Sequence, residues 1–165
     1  MESLFRQLLD ILSEEKEAYM ALIELSAEKK EAIVGSAFES LDRIIREEQA
    51  LIAKIQDRER ARSKCVMALA QLSGGNDANL QAFSGLASTQ EEKVRLEALQ
   101  SALPQIIEQL RSLNDINRKL IESRLKYVRF VIDSVSPDSG AAAYGAHGDD
   151  ESINKPRLNL YDRKV

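Results

Sequence analysis

His147 is the only imidazole in the chain and Cys65 the only thiol, and the two lie 82 positions apart in segments of opposite character. Acid–base catalysis near neutral pH draws first on histidine, and nucleophilic cysteine chemistry needs a base beside the thiol. His147 sits in a glycine-flanked tail, while Cys65 stands next to Val66 and Leu69 within a helical apolar pattern. Cys65 therefore reads as a buried, inert thiol that cannot close an intramolecular disulfide. Carboxylates gather at Glu14-Glu15-x-Glu17, but a bundle that holds a metal pair would place Glu-x-x-His on its helices, and none occurs. Those glutamates read as a solvated helix face. Gly74-Gly75 lacks the later glycine and lysine of a phosphate-cradling loop, so it reads as a turn. We expect no enzyme, no metal and no cofactor.

The polar residues that stand out are Asn114 and Asn117, three apart inside a run of leucines and isoleucines. The stretch carrying them organises the chain. Leu96, Leu99, Leu103, Ile106, Leu110, Leu113, Asn117, Leu120, Arg124, Tyr127 and Val131 follow at alternating steps of three and four, which keeps one side of a helix on a partner. A helix from Glu91 to Val135, rising ~1.5 Å per residue, spans roughly 68 Å. It needs company along its seam. An amide at a seam position lowers stability while favouring one register, so Asn117, together with Asn114, is expected to set bundle packing. Pro104 interrupts the ladder of hydrogen bonds without shifting the apolar phase, which favours a kinked but continuous helix over two separate ones.

Two further long helices precede it. Phe5, Leu8, Leu12, Tyr19, Leu22 and Ile33 recur near helical spacing. Gly35 offers a left-handed C-cap, and Ser36 with Glu39 forms a capping-box pattern for the next helix. That helix carries Phe38, Leu41, Ile45, Leu51, Ile52, Ile55, Cys65, Val66 and Leu69 on its expected inner side. In its middle, Asp57 to Arg62 puts charge all round for about two turns, where the core must thin; it reads as a solvated face laced with pairs such as Glu59 and Arg62, or alternatively as a basic rim for an acidic partner. After the loop Ser73 to Asp77, the three-residue spacing of Leu80, Phe83 and Leu86 predicts a short helix, and Ser88 with Glu91 predicts the cap of the last one.

The expected fold is all-α: an elongated antiparallel up-down bundle over 1–135, with helices at about 2–33, 37–72, 79–86 and 90–135. A polar, irregular tail follows over 136–165, with too few apolar residues for a core of its own. The first two helices cover roughly 48 and 54 Å at ~1.5 Å per residue, so the third is too long for its neighbours. Its C-terminal part, from Ile116 to Val135, stays apolar and is expected to offer a surface to the tail, a second copy or another protein's helix.

Twenty-seven acidic and 23 basic residues leave a formal charge of −4 with both signs interleaved, so nucleic acid is not an expected partner. No apolar run approaches the ~20 residues of a membrane span. The residues after Met1 alternate charge with apolar side chains, unlike a secretory signal, and a cytoplasmic location is expected.

Leu113-Asn114-Asp115-Ile116-Asn117-Arg118-Lys119-Leu120-Ile121 resembles the Leu-Asn-x-x-Asn-x-x-Leu-Ile signature late in the last long helix of FlgN-like flagellar export chaperones. Tyr144-Gly145-Ala146-His147-Gly148 is similar to the Tyr-Gly-x-x-Gly element that follows in that family. The tail beyond Gly148 is longer than the family outline. The resemblance implies a chaperone for the hook-filament junction proteins, hook-associated proteins 1 and 3. It would bind their C-terminal helical segments, prevent premature assembly, and deliver them to the flagellar type III export gate or its ATPase components. It assigns client binding to Leu120, Leu125, Val128, Val131, Ile132 and Val135, against the alternative that these are internal core. It assigns export-gate contact to Tyr144 and Gly145, against the alternative that Tyr144 anchors the tail. A monomer or weak dimer is expected. A competing reading is a homodimeric coiled-coil adaptor with no client.

Overall fold

The computed structural model describes residues 1–73 and 80–135. Three long α-helices occupy Glu2–Gly35 (α1), Phe38–Ser73 (α2) and Gln90–Val135 (α3), and a single 3-10 helix, Leu80–Leu86 (η1), precedes the last. Cross-links between helices give their directions. Arg6, Arg95 and Asn117 join α1 to α3 in rising order, through Arg6–Glu92, Asp10–Arg95 and Ser26–Asn117. Those two helices run parallel. Along α2 the order reverses, from Glu14–Arg58 to Lys29–Glu48 and Glu28–Arg43, so α2 is antiparallel to both.

The largest core cluster lies at the η1 end. Phe5, Leu8, Leu9 and Leu12 of α1 meet Cys65 and Leu69 of α2, Leu96, Leu99 and Leu103 of α3, and Phe83 of η1. A side chain every third residue suits the 3.0-residue turn of a 3-10 helix, and Phe83 is fully buried there. Beyond this cluster the core narrows to Ala18, Leu22 and Ile55 with Leu110 beside them, and then to Leu25, Ala32 and Ile44. α3 contributes no residue to that last cluster or its partly buried border.

α3 passes through Pro104 as one helix. Pro104 is exposed, so its ring lies on the outer side while the apolar seam continues.

The helices end within two positions of the expected limits, and their caps differ from the expected ones. Ser36, not Gly35, takes the left-handed conformation, at φ 56°. Its N–H donates to Ile33 O, and Ala37 N–H donates to Ala32 O at 3.0 Å, which together make a Schellman motif. Ser36 is thus the end of α1 and not the cap of α2. At the start of α3, Thr89 Oγ1 accepts from Glu92 N–H at 3.2 Å and Glu92 returns a bond from Ser88 N–H at 2.9 Å. The cap is Thr89 with Glu92 in place of Ser88 with Glu91, because Glu92 is also held by Arg6 Nε at 2.7 Å.

On α2, the expected inner residues Phe38, Ile45 and Ile52 are exposed, whereas Ile44 is buried. One position on a helix turns a side chain by about 100°. Only Ile44, Ile55, Cys65 and Leu69 of this helix are fully buried.

Candidate functional site

The carboxylates that read as a solvated face are partly interior. Glu15 is 2% exposed, with Oε1 3.1 Å from Arg62 Nε. Beside it, Glu14 lies 2.7 Å from Arg58 Nε, and the Tyr19 hydroxyl donates to Glu59 at 2.9 Å. Neither carboxylate–guanidinium pair has the alignment of a hydrogen bond. Desolvation raises the Glu15 pKa, opposed by the charge of Arg62. Burial and the bond to Glu59 push Tyr19 up to about 12. The charged segment of α2 therefore pairs across to α1, and this layer separates the cluster around Phe5 from the one around Ile55. A clue in the sequence was the coincidence of two charge-rich stretches, one on each antiparallel helix, at matching distances from the turn.

Cys65 is buried and its Sγ donates to Leu4 O at 3.2 Å. Desolvation raises its pKa, which keeps the thiol protonated and unreactive.

Asn117 is 2% exposed. Its Nδ2 donates to the carbonyl of Ser26 at 2.8 Å, and Ser26 Oγ donates to Asn114 Oδ1 at 3.3 Å. Farther on, Arg124 donates to the carbonyl of Val34, near the end of α1. These bonds hold α3 to α1 where apolar packing between them has thinned.

The residues expected to meet a client carry no such cover. Leu120 is half buried, and Leu125, Val128, Val131, Ile132 and Val135 are exposed, Leu125 by 51% and Val135 by 77%. Ile116, Ile121, Tyr127 and Phe130 are exposed on the same stretch. Side chains of this kind have little reason to face water along a helix unless something binds them. Tyr144 and Gly145 lie outside the described residues, as do His147 and Gly74-Gly75.

Among the described residues no group of three His, Cys, Asp or Glu side chains is placed to hold a metal ion. Among them, too, no helix is long and apolar enough to cross a membrane.

The chain is similar to the uncharacterized protein YvyG of Bacillus subtilis (strain 168), with 29% identity over 146 residues, covering 87% of this chain and 88% of that protein. No solved structure matches it. The family described as "FlgN protein" matches residues 1–152, a range that holds all three long helices, both asparagines and the Tyr144-Gly145 element. The chain belongs to the FlgN family of flagellar export chaperones, which bind hook-associated proteins.

Proposed function

We propose that this protein captures the C-terminal helical segments of hook-filament junction proteins, of the hook-associated protein 1 and 3 type. It keeps them from assembling early and delivers them to the type III export gate. The observation that carries this reading is the uncovered apolar face of α3, from Leu120 through Leu125, Val128, Val131 and Ile132 to Val135. A helix-in-groove interface needs apolar anchors about one turn apart and no catalytic group. Asn114 and Asn117 set how α3 seats on α1 in this reading and do not touch the client. Tyr144 and Gly145 contact the export gate, on the strength of their match to the family's Tyr-Gly-x-x-Gly element. The protein acts in the cytoplasm as a monomer or weak dimer.

The test is co-purification of the full chain with the C-terminal segment of a hook-associated protein from the same organism. A one-to-one complex with a dissociation constant in the micromolar range or tighter is expected. Absence of any complex at micromolar concentrations would remove the reading.

A further inference from the structure

The exposed apolar residues of α2 have no role so far. Phe38, Ile45, Ile52, Glu59 and Val66 stand seven apart, so they form one row that drifts only slowly around the helix. Near η1 this row is covered, because Val66 packs against the cluster that includes Leu96, Leu99 and Leu103 of α3. Farther along, the same row is open: Ile52 and Ile45 are each 46% exposed and Phe38 is 77% exposed. Arg43, about 200° round from Ile45, reaches instead to Glu28 of α1. The open row therefore lies on the flank of α2 away from Arg43, the flank on which Glu59 of the same row meets Tyr19 of α1.

α3 loses its cover over the same interval. Leu96, Leu99 and Leu103 are buried, Ile107, Leu110 and Leu113 are half buried, and Ile121 and Leu125 are exposed. Leu110 borders the cluster of Ala18, Leu22 and Ile55. Because the two helices are antiparallel, stepping ten residues along each from that level brings Ile45 level with Leu120.

We infer that these two uncovered rows border one cleft in which α2 supplies a second wall of the binding site, through Phe38, Ile45 and Ile52, and that the occupant is an amphipathic helix with an acidic flank. This rests on the chaperone reading and adds to it the position and charge of the client. The charge follows from α3, where Arg118, Lys119, Arg124 and Lys126 stand against two acids, Glu122 and the Asp115 that pairs with Arg118, a local +2 in a chain of net −4. An acidic helix edge complements that stretch and is drawn to it over the rest of an acidic surface.

The test uses the full chain and, as probe, the C-terminal segment of a hook-associated protein, titrated by calorimetry. Ile45→Glu with Ile52→Glu should weaken binding at least tenfold while lowering the melting temperature only slightly, since both side chains are about half exposed. Lys64→Glu, an exposed change on the same helix outside the cleft, should leave binding at the wild-type level. Lys119→Glu with Lys126→Glu should weaken it and flatten its dependence on salt. If the α2 double variant binds normally while Leu125→Glu does not, α2 is no wall and the inference fails, with the chaperone reading intact. If wild type binds no hook-associated segment, both fall. A dimer in light scattering that the α2 variant dissolves would place a second copy on this face and overturn the assignment to a client.

Discussion

The side-chain amide of Asn117 reaches the main-chain carbonyl of Ser26 at 2.8 Å, across 91 residues of sequence. Ser26 in turn points its hydroxyl at Asn114. This polar contact between α3 and α1 stands past Leu110, where the apolar seam begins to open.

Asn117 Oδ1 is buried with no hydrogen-bond partner, and the Ser26 carbonyl already accepts a bond within α1. Asn117→Leu removes an unmet acceptor and adds apolar surface to the seam. The expected gain is about 1 kcal/mol, seen as a higher melting temperature, with client affinity near wild type. A large loss of affinity would show that Asn117 touches the client.

Glu15 behaves in the opposite sense to most surface carboxylates. Its folded-state pKa is raised, so its contribution to stability is fully present below the unfolded pKa and is lost as pH rises through the folded value. At neutral pH the buried charge is a cost that Arg62 offsets. Arg62→Ala should destabilise by about 1 kcal/mol, because it removes the charge that opposes the desolvation of Glu15 while Arg62 itself is partly in solvent. Glu15→Gln should unfold at higher urea than wild type at pH 7, and this advantage should shrink toward pH 4. A constant difference across that range would contradict the assignment.

The α1–α2 turn has its small residues in the less favourable order. Ser36 bears the left-handed conformation at φ 56°, which costs an ordinary residue roughly 1–2 kcal/mol. Gly35 sits in the helix, where a Cβ would meet nothing within 4 Å. Gly35→Ala should add about 0.5–1 kcal/mol. Ser36→Gly should add a similar amount, about 1 kcal/mol at most once the entropy of glycine in the unfolded chain is counted. Chemical denaturation of each single variant and of the exchanged pair checks this.

Cys65 should react with a thiol reagent only as fast as the bundle opens at the η1 end. Labelling should therefore be slow in buffer and rise with denaturant in parallel with unfolding. Rapid labelling in buffer would mean that the Leu4 contact does not shield it.

Leu125→Glu together with Ile132→Glu should reduce client binding at least tenfold and shift stability by no more than about 0.5 kcal/mol, the ordinary range for exposed sites. A fall in melting temperature of many degrees would instead make these residues part of a core.

The three long helices, the short segment built on Leu80, Phe83 and Leu86, and the break at residues 35–37 were legible in the residues themselves. So were the uncovered end of α3 and the polar interruption of α2. Each depends on spacing within a turn or two, and the 3.6-residue repeat writes that spacing directly into the sequence. The family resemblance was legible for a different reason, the residue types matched around Asn114 and Asn117.

Other features depended on neighbours far away in the chain. Glu14 and Glu15 read as solvated because nothing nearby in sequence announces Arg58 and Arg62, which arrive only when α2 folds back on α1. Ile44 and Ile45 are equivalent in hydrophobicity, and the register of α2 against α1 alone decides that one is buried and the other open. Thr89 was chosen over Ser88 as the cap because Arg6 draws Glu92, and Ser36 was turned left-handed by the path the chain takes into α2. Periodicity along one helix determined what could be buried. The meeting of three helices decided what was, because cover comes from residues the local pattern does not contain.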